Sequence, residues 1–423
     1  MSTVIKNGHL IEPSSGISEP MDIAFEGTTI TAIDKDLEGD EIIDATGCVV
    51  CPGLVDIHVH FREPGFESKE TIASGSQCAA AGGYTSVVPM ANTNPTIDNA
   101  GMVEFVNRRA RETAIVKIWP SACATKNMQG EEITEMAELK EVGAVAVTDD
   151  GKDIQSSWVM RRVMEYAKMV GLPYMAHCED HSLLVNGGAM NEGYNSTRLG
   201  IPGIPKAAEE IMIERNARLA ELTGAHLHVQ HITTAGGVEI LRRYKDKGVH
   251  ITGEASPHHI TLTDAAIEKY DTNAKMNPPL REQSDIDAIK AGIADGTIDI
   301  IATDHAPHTP AEKDVEFALA PFGILGLETA LGIVLTQLVD EKVISIERAI
   351  EMMTVSGAKI VKIDAGVLRE GGPADICIFN ADETWTVDPE ASKSNSRNTP
   401  FGGMELRGVI KQTICDGQTV FQS

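Results

Sequence analysis

Between residues 51 and 363, short apolar runs alternate with amphipathic helical patterns, and this alternation constrains the fold more than any other feature of the chain. Eight runs read as strands: Leu54–His58, Tyr84–Val88, Ile115–Trp119, Ala144–Thr148, Pro173–Ala176, His226–Gln230, Val249–Gly253 and Ile298–Ala302. Helical periodicity lies between most of them, at Met102–Arg111, Glu132–Glu141, Ser157–Val170, Ala207–Leu222 and Gly236–Asp246. Strands separated by helices imply parallel pairing, because the return path needs a crossover. Eight such units predict an α/β fold, a (β/α)8 TIM-type barrel.

The flanks differ. Val4-Ile5-Lys6-Asn7-Gly8 reads as a strand running into an Asn-Gly turn, Asp22–Gly27 and Thr29–Ile33 as a hairpin, and Ala374–Phe379 and Val409–Thr413 as further strands. Residues 1–50 and 364–423 are therefore expected to form one small β-sandwich domain from both termini, leaving 51–363 as the catalytic barrel. Polar residues from Glu383 to Arg397 read as a surface loop. The proline-bearing stretch from His305 to Phe322 reads as a long connection of the kind that serves as a substrate lid.

Composition narrows the function. Thirty-six basic residues against 62 acidic ones give a net charge of −26, which argues against nucleic-acid or anionic-membrane partners. No run of about 18 apolar residues suggests a membrane span. Met1–Leu10 lacks the pattern of a signal peptide. Seven cysteines, an odd number scattered along the chain, suit a reducing cytoplasm. Cys48 and Cys51 make a lone CxxC with no second pair, read as structural.

On the expected barrel the reactive side chains gather at one end. His58 and His60 end the first strand, Asp149 and Asp150 follow the fourth, His177 ends the fifth, His231 the sixth and Asp304 the eighth. Barrel enzymes assemble their sites at that carboxyl end. Imidazole and carboxylate suit Zn²⁺ or a similar divalent ion, and residues two apart on a strand point the same way. Four histidines and two carboxylates exceed the needs of one tetrahedral ion, so two ions bridged by a carboxylate fit the count. A metal-activated water could attack an amide carbonyl, with Asp304 as proton carrier. His226, His228, His258 and His259 read as packing or supporting groups, and His305 is ambiguous.

Asp56-Ile57-His58-Val59-His60 resembles the metal-binding strand of the amidohydrolase superfamily. Phe61-Arg62-Glu63-Pro64-Gly65, Met90–Pro95, Thr148–Gly151, Met276–Arg281, Thr303–His308 and Pro321-Phe322-Gly323 resemble, in order, motifs of the type I (bacterial long-chain) dihydroorotases. The likeness runs from about Val4 to Asp416; one departure is Ala91, where relatives carry proline. The resemblance implies zinc, one or two ions and in the fuller form two. His58, His60 and Asp304 would hold one, His177 and His231 the other, with Asp150 as the bridge and Asp149 orienting it. It further implies that Arg62, Asn92 and His308, with His60, contact the substrate, the first three at its carboxylate. Asn277 and the Phe322-Gly323 backbone would meet the ring amides, and Asp304 would be the catalytic acid and base. The reaction implied is the reversible cyclisation of N-carbamoyl-L-aspartate to L-dihydroorotate in pyrimidine synthesis. A homodimer, and association with aspartate transcarbamoylase, are the partners it suggests. Allantoinases, hydantoinases and dihydropyrimidinases share the barrel and the HxH but bridge with lysine. A non-catalytic scaffold reading conflicts with the full ligand set.

Overall fold

The computed structural model describes residues 2–184 and 187–423. Seven strands come first: β1 (Ser2–Lys6), β2 (His9–Glu12), β3 (Ile17–Pro20), β4 (Asp22–Glu26), β5 (Thr29–Asp34), β6 (Glu41–Asp44) and β7 (Val49–Pro52). The central region carries β8 (Leu54–Val59), β9 (Tyr84–Pro89), β10 (Lys117–Ile118), β11 (Ser121–Cys123), β12 (Ala146–Thr148), β13 (Tyr174–Ala176), β14 (Met190–Asn191), β15 (Gly203–Ile204), β16 (Leu227–Val229), β17 (Ile251–Ala255) and β18 (Ile300–Ile301). Two long strands and a shorter one end the chain: β19 (Ile376–Thr386), β20 (Glu405–Cys415) and β21 (Gln418–Gln422).

The central strands are parallel and sequential. One sheet runs β10-β9-β8 and another β11-β12-β13-β16-β17-β18. Every residue of β8 and β9 is buried, as expected of strands covered on both faces. The expected third strand, Ile115–Trp119, is divided. β10 pairs with β9 and β11 pairs with β12, and Trp119-Pro120 separates them; proline lacks the N–H a central ladder needs. The seam still holds, since Trp119 N–H donates to Val87 O and Val145 N–H to Pro120 O. At the opposite edge Val59 and His305 form a parallel bridge, and His60 N–H donates to His305 O at 2.8 Å.

Most helices lie where their periodicity and caps put them. The helix Ser157–Val170 starts at the Ser156 cap and stops at left-handed Gly171. The segment from Glu132 departs from expectation: the helix begins only at Met136, because Ile133 bridges Thr125 and Thr134 N–H is taken by Ala124 O.

The terminal strands make two sheets, β5-β4-β1-β6 and β21-β20-β19-β7-β2-β3. Ile5, Ile23, Phe25, Leu10, Val50, Ile376 and Ile414 pack into one apolar cluster drawn from both. The hairpin at Gly27 is as expected. Asn7-Gly8 is not a hairpin turn: β1 pairs with β4 and β6, and the chain crosses there to the other sheet. A Cβ on Gly8 would meet Val50 Cγ2 at 2.5 Å, so this crossing needs glycine. The stretch 383–397 is also more than a surface loop. Glu383–Thr386 belongs to β19, and Ser394 and Ser396 beyond it are buried against Glu70 and Lys69.

Candidate active site

Six side chains converge beyond the carboxyl ends of the central strands. His58 lies near the end of β8 and His60 just past it; Asp150 follows β12, His177 β13, His231 β16 and Asp304 β18. All six are buried. Their backbones bend sharply to bring them together: His231 has φ 32°, Asp304 φ 48° and neighbouring Arg62 φ 60°. Left-handed conformations cost non-glycine residues energy and cluster at functional sites.

Asp150 sits at the centre. Its Oδ1 faces His58 Nε2 at 3.5 Å, His231 Nε2 at 3.6 Å and His177 Nδ1 at 3.7 Å. Its Oδ2 faces His60 Nε2 at 3.4 Å. Asp304 Oδ1 lies 3.0 Å from His60 Nε2 and 3.5 Å from His58 Nε2. Two overlapping groups of potential ligands result, His58 with Asp150 and His231, and His58 with His60 and Asp304. Among the described residues Asp150 Oδ1 and His231 Nδ1, both buried, have no hydrogen-bond partner. Three imidazole nitrogens aimed at one carboxylate oxygen from beyond hydrogen-bonding distance fit cations held between them.

The electrostatics agree. Burial raises the Asp150 pKa, but His58, His177 and His231 outweigh it and hold the carboxyl well below its ordinary value. Asp304 is likewise held low, burial being overcome by His58 and His60. Burial lowers His177, yet Asp150 and Glu179 lift it to about 10. The site is thus a set of ionised carboxylates attracting positive charge.

The surrounding groups are placed as follows. Arg62 Nε donates to Pro307 O at 3.2 Å and its Nη2 lies 3.2 Å from His308 Nε2. His308 in turn hydrogen-bonds Phe322 O at 2.8 Å. Asn92 is turned toward the cluster, its Oδ1 3.0 Å from His60 Nδ1. Asn277 Nδ2 is 3.4 Å from His177 Nε2, and its Oδ1 has no partner among the described residues. The Gly323 N–H is already given to Lys275 O, and Phe322 O and Gly323 O already accept from His308 and Asn398, so of that expected backbone contact the Phe322 N–H remains. Gly323 has φ 151° and a Cβ there would meet Ala306 O at 2.4 Å. Asp149 does not touch the cluster; it accepts from Ala124 and Thr125 N–H and anchors that turn. His305 is structural, its Nδ1 accepting from Gly326 N–H. A cavity of about 440 Å³ behind it, lined by Trp385, Val387 and Leu331, is separate from the cluster.

Three contributors escape a reading of the sequence. Glu254, buried on β17, hydrogen-bonds His58 Nδ1 at 2.5 Å and His228 Nε2 at 2.9 Å. Its only sequence signal is a lone acid directly after the expected strand Val249–Gly253. Glu179, two residues after His177, lies 3.9 Å from that ring. Asn398, far along the chain, accepts from His308 N–H and donates to Ala306 O and Gly323 O.

The comparisons with known proteins match this geometry. L-Hydantoinase (dihydropyrimidinase) from Arthrobacter aurescens superposes with a TM-score of 0.90 at 25% identity, covering 99% of this chain and 96% of that one. Dihydropyrimidinase from Brevibacillus agri superposes with a TM-score of 0.88 at 24% identity, covering 100% and 95%. A family model described as dihydro-orotase-like matches residues 47–236. With a mouth full of imidazoles and carboxylates on this α/β frame, the chain is an enzyme of the cyclic-amide hydrolase class. Full-length relatives narrow the class: a dihydroorotase of Caldanaerobacter subterraneus is 49% identical over 100% of this chain and 98% of its own, and one of Citrifermentans bemidjiense 47% identical over 100% of both. The chain belongs to the dihydroorotase family.

Proposed function

We propose that this chain interconverts N-carbamoyl-L-aspartate and L-dihydroorotate through the cluster at the carboxyl ends of its central strands. The observation that carries this reading is Arg62. It is partly buried beside the cluster, near Asp304 and Asp150, and holds its proton, since burial lowers its pKa only to about 10. Among the described residues it forms no ion pair and is met by a carbonyl and an imidazole. A partly buried guanidinium without a carboxylate partner suits an anionic substrate, and a planar fork suits a carboxylate. Neutral hydantoin rings offer no such group.

His58, His60, Asp150, His177, His231 and Asp304 would hold zinc, two ions in the fuller form, with Asp150 facing all four imidazoles. Bound there, the metal would acidify water and polarise the ring carbonyl. Glu254 keeps the His58 proton on Nδ1 and so presents Nε2 to the cluster. Arg62 and His308, with Asn92, orient the substrate carboxylate; Asn277 Oδ1 is the free acceptor for a ring N–H; Phe322 and Gly323 close the other side. Asp304, ionised and 3.0 Å from His60, takes a proton in the hydrolytic direction and returns it to the ring nitrogen as the C–N bond breaks.

The reading also takes the central strands as a closed (β/α)8 barrel, supported by the Val59–His305 bridge, and 1–50 with 364–423 as the small β domain, supported by the shared apolar cluster. It includes a homodimer: Trp158, Met169 and Leu222 are exposed on neighbouring helices and would be covered by an interface. Seven free cysteines support a cytoplasmic setting. No helix among the described residues is long and apolar enough to cross a membrane.

The test is purified protein with dihydroorotate, hydantoin, dihydrouracil and allantoin in parallel, with and without chelation. Turnover of dihydroorotate alone, lost on chelation and restored by Zn²⁺, is expected. Preference for a neutral ring would overturn the substrate, and failure of every substrate despite bound metal would overturn the reaction.

A further inference from the structure

Two lysines are buried in the long connection after Asp304, and the cluster does not use them. Lys313 lies in the connection at the end of the short helix Pro310–Lys313; Lys275 reaches into it from two residues before Asn277. They are 4% and 2% exposed. Among the described residues, every hydrogen bond from either ammonium goes to a main-chain carbonyl. Lys275 Nζ donates to Phe317 O at 2.8 Å and Ala318 O at 2.9 Å, and stands 4.6 Å from the Phe322 ring centroid. Lys313 Nζ donates to Pro321 O at 2.8 Å, Thr272 O at 3.0 Å and Lys275 O at 3.4 Å. Lys275 O also accepts the Gly323 N–H at 2.9 Å.

Burying an ammonium is costly, and an apolar side chain would fill the same space more cheaply. What an apolar residue cannot do is gather carbonyls from separate segments around one point. Here the carbonyls come from two segments, 272–275 and 317–321, the 313 helix end supplies the third piece through its ammonium, and 317–321 leads directly into Phe322 and Gly323. Lys275 also stands two residues from Asn277. The two ammoniums therefore join both walls of the substrate pocket. Lys313 also adds positive charge on the side where Arg62 and Lys69 already flank His308, whose protonation burial and these three cations suppress.

We propose that Lys275 and Lys313 are positioning residues: their ammoniums clasp the carbonyls of Phe317, Ala318 and Pro321, fix Phe322 and Gly323 against Asn277, and bias the pocket toward a dianionic substrate. The specificity part rests on the dihydroorotase reading; the clasp does not.

The experiment uses metal-loaded protein without substrate, comparing wild type with Lys275→Met and with Lys313→Met. Amide hydrogen exchange in residues 314–323 is expected to quicken by about tenfold or more in each variant, with helices 157–170 and 206–223 unchanged. Metal content should be unaltered, and KM for carbamoyl aspartate should rise about tenfold while kcat stays within about threefold. Unchanged exchange in 314–323, or an equal rise throughout the chain, overturns the clasp. A local rise with unchanged KM overturns the substrate bias and leaves the clasp standing, and turnover of a neutral ring would overturn the dihydroorotase reading without touching either exchange result.

Should the variants not fold, the unaltered protein answers. Burial brings Lys275 down to about 8 and Lys313 to about 7. Lys313 is faced by Lys275 and Arg62, which repel its charge, and by Asp271 and Glu312, which favour it; Lys275 faces the Phe317 and Phe322 rings. Both values lie below that of an exposed lysine, so an opening that frees the ammoniums takes up protons, and protection of 314–323, corrected for intrinsic exchange, must rise between about pH 7 and 10 relative to helix 206–223. Flat protection across that range overturns the clasp.

Discussion

Glu254 Oε1 lies 2.5 Å from His58 Nδ1, at the floor of the ligand cluster. The other oxygen of the same carboxylate meets His228 Nε2 at 2.9 Å, and His228 Nδ1 is 2.9 Å from Thr252 Oγ1. A buried chain of Thr252, His228, Glu254 and His58 thus fixes the tautomer of the one imidazole shared by both ligand groups. Carboxylates that orient a metal-binding histidine commonly change metal affinity by about 10–100-fold when altered. Glu254→Gln keeps the shape and loses the charge. It is expected to weaken zinc binding by about that factor, read by competition with a chromophoric chelator. Affinity equal to wild type would mean that Glu254 only packs.

Glu254 is harder to read from the sequence than the candidate ligands, for a physical reason. Each candidate ligand histidine or aspartate lies at or just past the end of an expected apolar strand, so the end of the strand and the mouth of the fold coincide in the sequence. His177 after Tyr174–Ala176 and His231 after Leu227–Val229 are of this kind. Glu254 directly follows the expected strand Val249–Gly253 as well, but a lone acid there has no paired ligand spacing to mark it, and only tertiary structure turns it toward His58. Asn398 is further still from recognition. It sits in a polar stretch that resembles a loop, and its three hydrogen bonds reach 75 to 92 residues away. The strand expected at Ile115–Trp119 is shortened to β10 for a local reason, Pro120, and the helix expected from Glu132 starts only at Met136 because Ile133 pairs with Thr125 instead.

Asp304 combines two tasks, facing His58 and His60 and, in the proposed reaction, moving the proton. Asp304→Asn preserves volume and removes both the charge and the exchangeable acid. Turnover is expected to fall by about 10³-fold or more, given that general acid–base catalysis alone contributes about 10²–10⁴-fold. Far-ultraviolet circular dichroism should be unchanged. Turnover within about tenfold of wild type would remove Asp304 from the proton-carrying role.

Among the described residues the Arg62 guanidinium meets only Pro307 O and His308. Hydrogen bonds to charged groups contribute about 1.5–3 kcal/mol, so Arg62→Ala should raise KM for dihydroorotate by about 10–100-fold. Zinc content should stay the same, because Arg62 is outside the ligand groups. An unaltered KM would place the substrate carboxylate elsewhere.

His226 supplies a pH dependence away from the active site. Its ring stacks on His250 with centroids 3.9 Å apart and planes 9° from parallel, and its Nε2 is 3.0 Å from Thr252 Oγ1. Burial first, then the neighbouring histidines, push its pKa from 6.5 down to about 3. The folded chain therefore keeps this ring neutral while the unfolded chain protonates it. Stability from this group is complete above about pH 6.5 and is lost as pH falls toward about 3, at a slope of up to one proton, or about 1.4 kcal/mol per pH unit. His226→Phe, which retains the stack and cannot titrate, should lose less stability than wild type between pH 6.5 and 4.5 in urea titrations followed by fluorescence. Parallel losses in the two proteins would assign the acid sensitivity to other groups. His258, buried and lowered to about 4, is the next to examine by the same substitution.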